Sequence, residues 1–243
     1  MHTPVTPFAT LPRPLLFAHR GASALAPENT FQSFDLAVRL GAHVLEMDVH
    51  LSADGEVVVF HDATLERTTD GRGTLAERTY AELCRLDAGC KFVGPNGDAL
   101  FAGRDVQVPR LVDVLRAFPQ SAFNIELKHR GAKLIEAVTQ IVDSVAERVV
   151  LAAEDDQTMA ALERSRPPCA LGLSRGQVIR VMRGALLRRI DPAFAGRALQ
   201  IPPSYWGLPL CRPTLLRQIK QAGIDVHVWT IDTPQVAQQR RST

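Results

Sequence analysis

Eight short apolar runs are spaced along the chain, and helix-patterned segments fall between many of them. They are Leu15–His19, Val44–Val49, Glu56–His61, Phe123–Leu127, Val149–Ala152, Ala170–Leu173, Ala198–Ile201 and Asp225–Thr230. Each is too short for a buried helix and suits a strand. The segment Thr30 to Leu40 puts Phe31, Phe34, Ala37 and Val38 on one helical face, with Gly41 as its stop. Lys133 to Ala146 repeats that spacing with Leu134, Ile135, Val138 and Val142, and Pro213 to Ala222 precedes a terminating Gly223. Strands alternating with helices define an α/β chain around a parallel sheet, open or closed into a barrel. A length of 243 residues fits one such domain, residues 1–243, and is ample for a core. Residues 62–109 interrupt the rhythm. Turn-rich stretches surround a single capping box at Thr79–Glu82, so this region reads as an insertion or lid. The arginines between Ser174 and Arg197 read as the solvated face of a helix rather than a membrane-surface patch.

The run VLEMDV carries two carboxylates. Residues two apart on a strand share a face, so Glu46 and Asp48 point together, with His50 following. Leu45, Met47 and Val49 point the other way, toward covering helices. The segment SADGE is a hairpin signal; a two-residue Asp54-Gly55 turn would set Asp48 opposite His61. In FNIELKH, Asn124, Glu126 and Lys128 share a face. His19 ends its strand just before Arg20-Gly21, and His227 and Trp229 share a face. Polar groups thus collect at the C-terminal ends of several strands, where α/β sheets and barrels build their sites. Taken singly, His19 reads as an ordinary strand-end histidine and Glu126–Lys128 as a strand-end ion pair. Glu46 with Asp48 does not reduce so easily: two like charges on one buried face need a cation or a proton between them. Three carboxylates from two strands offer only oxygen ligands, which favours Mg²⁺ or Ca²⁺ over Zn²⁺. The histidines then stay free for proton transfer, while Arg20 and Lys128 serve an anion; together they point to a phosphate ester.

A net charge of +2 gives no mandate for nucleic acid. Four cysteines without metal spacing read as reduced thiols, and the N-terminus carries neither a signal-peptide pattern nor a membrane span. A cytoplasmic protein acting on a small molecule is the expectation, with no oligomeric state indicated.

The chain resembles the glycerophosphodiester phosphodiesterase family. The likeness is carried by AHRGASALAPENT (Ala18–Thr30), LEMDVHLSADGEVVVFHD (Leu45–Asp62), LERTTDGRG (Leu65–Gly73), VPRLVDVL (Val108–Leu115), NIELK (Asn124–Lys128) and VHVWTID (Val226–Asp232), in that order. The resemblance implies a TIM-type (β/α) barrel with a small insertion after the second-strand hairpin. It implies metal-dependent hydrolysis of glycerophosphodiesters to glycerol 3-phosphate and an alcohol. His19 and His61 would be the acid–base pair, Glu46, Asp48 and Glu126 the metal ligands, Arg20 and Lys128 the phosphate contacts, and Trp229 a wall of the substrate pocket. A lysophospholipase D relative is the alternative, with the mouth formed by residues 62–109 as the discriminator. Family members usually continue beyond VWTID with a helix, a last strand and a last helix, whereas TPQVAQQRRST follows here. If Glu56–His61 is only a hairpin arm, seven barrel strands remain and the eighth is missing, leaving two unpaired edges. A truncated, non-catalytic phosphate-binding remnant is the reading that ending would favour.

Overall fold

The computed structural model describes residues 8–231. The elements follow in order: β1 (Phe17–Ala18), α1 (Phe31–Arg39), β2 (Val44–Leu51), β3 (Val57–Val59), α2 (Tyr80–Leu83), α3 (Leu111–Ala117) and β4 (Ala122–Leu127). Next come α4 (Ala132–Val142), β5 (Val149–Ala152), α5 (Asp156–Ser165), β6 (Ala170–Leu171) and α6 (Arg175–Leu186). The described chain ends with β7 (Ala198–Ile201), β8 (Ser204–Tyr205), β9 (Leu208–Pro209), α7 (Pro213–Gln221) and β10 (Asp225–Val228).

Strands β1, β2, β4, β5 and β6 form one parallel run in that order. A parallel bridge from Gly172 to Ala198 carries the order on to β7, which pairs in parallel with β10. The sheet curls until β10 stands beside β1. There the rings of Phe17 and His227 lie 4.5 Å apart, and Arg13 pairs with Asp225 at 2.9 Å. Among the described residues, no backbone hydrogen bond joins those two strands. The chain beyond Ile231, on which the expectation of a missing eighth strand bears, lies outside the described residues. No helix among the described residues is long and apolar enough to cross a membrane.

Alternation along β2 sorts the side chains as strand geometry requires. Leu45, Met47 and Val49 pack outward against Phe34, Leu111 and Val114 in the main core. Val44 joins Ala122, Val150, Ala198 and Phe8 in an apolar floor inside the curl. The inward faces therefore grade from apolar at the N-terminal ends of the strands to charged at their C-terminal ends. A second cluster, with Leu173, Val181, Leu199, Leu216 and Ile219, seats α6 and α7 on β7. The insertion has its own small core, built on Leu65, Leu75, Leu83 and Val106 under Val58 and Phe60. Its capping box forms as the sequence indicates: Thr79 starts α2, and its side chain and that of Glu82 satisfy each other's backbone N–H groups.

Glu56–His61 is a hairpin arm, antiparallel to β2, but its register differs from the two-residue turn. Val49 lies opposite Val59, and the Phe60 N–H donates to the Asp48 carbonyl at 2.9 Å. Asp48 thus faces Phe60 rather than His61. Ser52 pairs with Glu56 through its backbone N–H, leaving a three-residue loop in which Gly55 adopts φ +89°. The Ser52 hydroxyl donates to Asp54 at 2.6 Å and accepts from the Glu56 N–H at 2.9 Å, which braces the longer loop. His61 reaches the site because the chain leaves the strand after Val59.

Candidate active site

The turn after β1 is the tightest part of the site. Arg20 and Asn29 both adopt left-handed backbone, at φ +56° and +57°, and Gly21 follows Arg20 at φ +80°. A Cβ on Gly21 would lie 2.3 Å from the Ser33 hydroxyl, so only glycine lets this turn seat on the start of α1. Thr30 caps α1 in a capping box with Ser33, and the Ser33 hydroxyl also donates to the Arg20 carbonyl at 3.1 Å. One helix N-terminus thereby fixes the loop that carries His19 and Arg20.

Register on the sheet brings the carboxylates together. Asp48 on β2 lies directly beside Glu126 on β4, and Glu46 beside Asn124. Carboxylate oxygens of Glu46, Asp48 and Glu126 all lie within 4.8 Å of one another, and all three residues are buried. The Arg20 backbone N–H donates to Glu46 at 2.8 Å, and the Asn29 amide donates to Asp48 at 3.0 Å. Lys128 Nζ stands 3.1 Å from both Asp48 and Glu126, and Arg20 Nε is 3.3 Å from Asp48. Burial pushes the Glu46 carboxyl well above the usual range, and the neighbouring Asp48 pushes it further. Glu126 is raised as well, mainly by burial, with Lys128 opposing. Burial works against the Lys128 charge, but Asp48 and Glu126 outweigh it and hold its pKa up. Each buried ion carries a penalty of several kcal/mol, more than the roughly 1.5–3 kcal/mol gained by burying a neighbour such as Met47. Three carboxylates against one lysine and one arginine leave negative charge to spare. An all-oxygen donor set of this span fits a hard divalent cation.

Two histidines flank the carboxylates. His19 Nε2 is 4.0 Å from Glu46, and its ring is 5.5 Å from that of Trp229. Burial lowers its pKa, and the Arg20 charge lowers it further. His61 Nδ1 is 2.5 Å from Asp62 Oδ1. Hydrogen bonds from Arg67 depress the Asp62 pKa to about 2. Asp62 is therefore an acceptor, Nδ1 donates to it, and Nε2 is the ring nitrogen left for other contacts. His50 holds the His61 backbone from below, with Nε2 3.0 Å from the His61 carbonyl. Beside Glu126 and Lys128 opens a cleft of about 390 Å³, whose wall includes Arg130, Glu154 and Arg175.

All eight residues singled out from the sequence thus stand at one end of the sheet, around its β1–β2–β4 edge and the end of β10. Four that support them carry no assignment from the sequence, Glu28, Asn29, Asp62 and Arg67; His50, read there as following Glu46 and Asp48 on their strand face, is the fifth. Arg67 donates to Glu28 at 2.7 and 2.8 Å and to Asp62 at 2.5 Å, while Arg20 donates to Glu28 at 3.1 Å. Arg20, Glu28, Arg67, Asp62 and His61 form one chain of alternating charge. Of the other four, Asn29 had a local signal, since asparagine tolerates the left-handed backbone that a turn before a helix uses.

A mostly parallel α/β sheet with carboxylates, cations and imidazoles at its strand C-termini is an arrangement able to hold a divalent metal and an anionic substrate. The sequence profile of the glycerophosphoryl diester phosphodiesterase family matches residues 19–243, and the chain belongs to that family. A glycerophosphodiester phosphodiesterase of Caldanaerobacter subterraneus subsp. tengcongensis is 33% identical over 227 residues, covering 90% of this chain and 86% of the relative. The crystal structure of a glycerophosphodiester phosphodiesterase from Agrobacterium tumefaciens superposes with a TM-score of 0.74 at 28% identity, covering 94% of this chain and 91% of that one. A phosphodiesterase of Oleispira antarctica, solved with the product sn-glycerol-3-phosphate, gives a TM-score of 0.73 at 28% identity over 94% of this chain and 89% of that one. The shared fold is TIM-barrel-like.

Proposed function

We propose that this chain hydrolyses glycerophosphodiesters to glycerol 3-phosphate and an alcohol, as a single catalytic domain with the insertion at residues 62–109 forming one wall of the site. The observation that carries the reading is the meeting of Glu46, Asp48 and Glu126 within 4.8 Å, with Lys128 in contact and His19 and Arg20 alongside. Glu46, Asp48 and Glu126 hold a divalent cation, Mg²⁺ or Ca²⁺. When bound, that ion supplies Lewis-acid stabilisation of charge on the phosphoryl oxygens. Lys128 and Arg20 draw the phosphodiester in and orient it, and Trp229 closes the pocket over His19. His19 and His61 transfer the protons, one taking a proton from the attacking oxygen and the other giving one to the leaving alcohol. Asp62 keeps the proton on His61 Nδ1, so His61 Nε2 faces the reaction. The complete acid–base and charge set supports turnover over a purely binding role.

The test is release of glycerol 3-phosphate from glycerophosphocholine by the purified chain, with Mg²⁺, with Ca²⁺ and with a chelator. Metal-dependent release is expected. Folded protein that binds the substrate and releases nothing would refute the catalytic reading.

A further inference from the structure

Charge is distributed very unevenly along this chain. Residues 174–224 contain nine of the 28 lysines and arginines and one of the 26 acidic residues, a surplus of eight positive charges. The remaining residues carry 19 cations against 25 acids, a deficit of six. Of the nine cations, only Arg197 forms an ion pair with a carboxylate among the described residues, to Glu163 at 2.7 Å. Arg175, Arg180, Arg183, Arg188 and Arg189 of α6 and the turn after it are all exposed.

Apolar surface is concentrated in the same sector. Ile179, Leu186 and Leu187 are exposed beside those arginines, while Val181 and Ala185 on the opposite face of α6 are buried. At the C-terminal end of β7, β8 and β9 form a small hairpin with Tyr205 opposite Leu208, both exposed. Its two-residue tip, Trp206-Gly207, has φ values of +50° and +74°. A bulky residue in left-handed backbone is strained, and asparagine or glycine would make the same turn more readily. Trp206 is nevertheless there, 89% exposed. At that exposure the indole adds little to any core, its ring meeting that of Tyr205 at 6.2 Å, and it is available to a partner surface. The hairpin is tied to the active-site cleft: Arg175, on the cleft wall, donates to the Tyr205 hydroxyl at 3.0 Å.

We propose that the sector formed by α6, the β8–β9 hairpin and α7 docks on an anionic lipid surface. Trp206 and Leu208 enter the headgroup region, and the exposed arginines of α6, none of them ion-paired to a carboxylate among the described residues, lie over lipid phosphates. Such surfaces combine fixed negative charge with an interface that accepts tryptophan and leucine, matching both halves of the sector. Nucleic acid would answer the charge but not the exposed aliphatic side chains. Docking sets the mouth of the cleft beside the membrane.

The test is sedimentation of the full chain with vesicles of phosphatidylcholine alone and of phosphatidylcholine mixed with phosphatidylglycerol. Binding to the anionic vesicles, weakening with added salt, is expected. Trp206→Ser and the double variant Arg183→Glu/Arg188→Glu should each weaken partitioning at least ~10-fold, with unchanged circular dichroism and melting temperature. Equal binding to both vesicle types, or variants that bind like the parent, would overturn the proposal. So would preferential binding of a duplex oligonucleotide, or self-association abolished by Trp206→Ser in a protein that ignores vesicles. No readout uses turnover, so the result stands or falls apart from the phosphodiesterase activity.

Discussion

At the C-terminal end of the sheet Arg67 grips Asp62 and Asp62 grips His61; at the start of β10 Arg13 grips Asp225 and Asp225 grips His227. The two clusters have the same three residue types in the same order of contact. Both carboxyls have lowered pKa values. Arg67 leads the causes at Asp62, whereas at Asp225 burial works the other way and is outweighed by His227 and Arg13. Access separates them. The His61 side chain is 28% exposed, and its charge is felt at His19. The His227 side chain is 4% exposed, packed against Phe17 at 4.5 Å and Phe8 at 6.1 Å, and its Nδ1 has no hydrogen-bond partner among the described residues. In the proposed mechanism one cluster passes a proton to a substrate. The other is a clasp that holds β10 against β1, which no backbone hydrogen bond joins among the described residues. Residue types alone do not distinguish a working histidine from a structural one; the free nitrogen and what can reach it do.

Exchanging the two histidines for alanine should separate the roles. His61→Ala is expected to lower kcat by at least ~10²-fold, the range for an acid–base group, with the melting temperature nearly unchanged. Steady-state kinetics beside a thermal melt reads both, and near-parental turnover would remove His61 from the chemistry. Asp62→Asn should lower kcat by ~10-fold or more while leaving KM close to the parent's, because it loosens the imidazole without touching substrate. A change confined to KM would contradict that role. His227→Ala should do the reverse of His61→Ala: kcat near the parent's, and a loss of about 2 kcal/mol, or about 4–8 °C in melting temperature. If turnover fell instead of stability, the clasp would be part of the site. Smallest is Arg13→Ala, at about 0.5–1 kcal/mol for a partly exposed pair. Asp225→Asn adds a pH signature to the same clasp. The folded pKa of Asp225 is below its unfolded value of about 3.9, so its contribution is full above that value and fades as pH falls through the folded pKa. The gap in melting temperature between parent and Asp225→Asn should therefore be constant near neutrality and narrow in acid.

Much of this was written locally in the chain. Alternation in VLEMDV and NIELK put Glu46, Asp48, Glu126 and Lys128 on one face, and the parallel register then made them neighbours. The hairpin arm was legible from SADGE, but its register was not. Asp-Gly suits loops of two or three residues, and the choice is made by the Ser52 hydroxyl bonding Asp54 and the Glu56 N–H. Arg67 was illegible for a different reason. It meets Glu28 across 39 positions and Asp62 across five, on an irregular loop with no periodicity to read. The clasp was half visible, since His227 and Asp225 share a strand face, while Arg13 lies 212 residues away. Local patterns fix which way a side chain points; only the assembled sheet decides what it meets.

Arg67 belongs to the insertion, yet its guanidinium spans Glu28 from the first loop and Asp62 beside His61. The insertion rests on a cluster far smaller than the main core, and small clusters open at lower free energy than large ones. Turnover therefore acts as a gauge of the insertion's local order. On gentle heating or in mild denaturant, the enzyme should fall silent while its spectroscopic signature still reads as native.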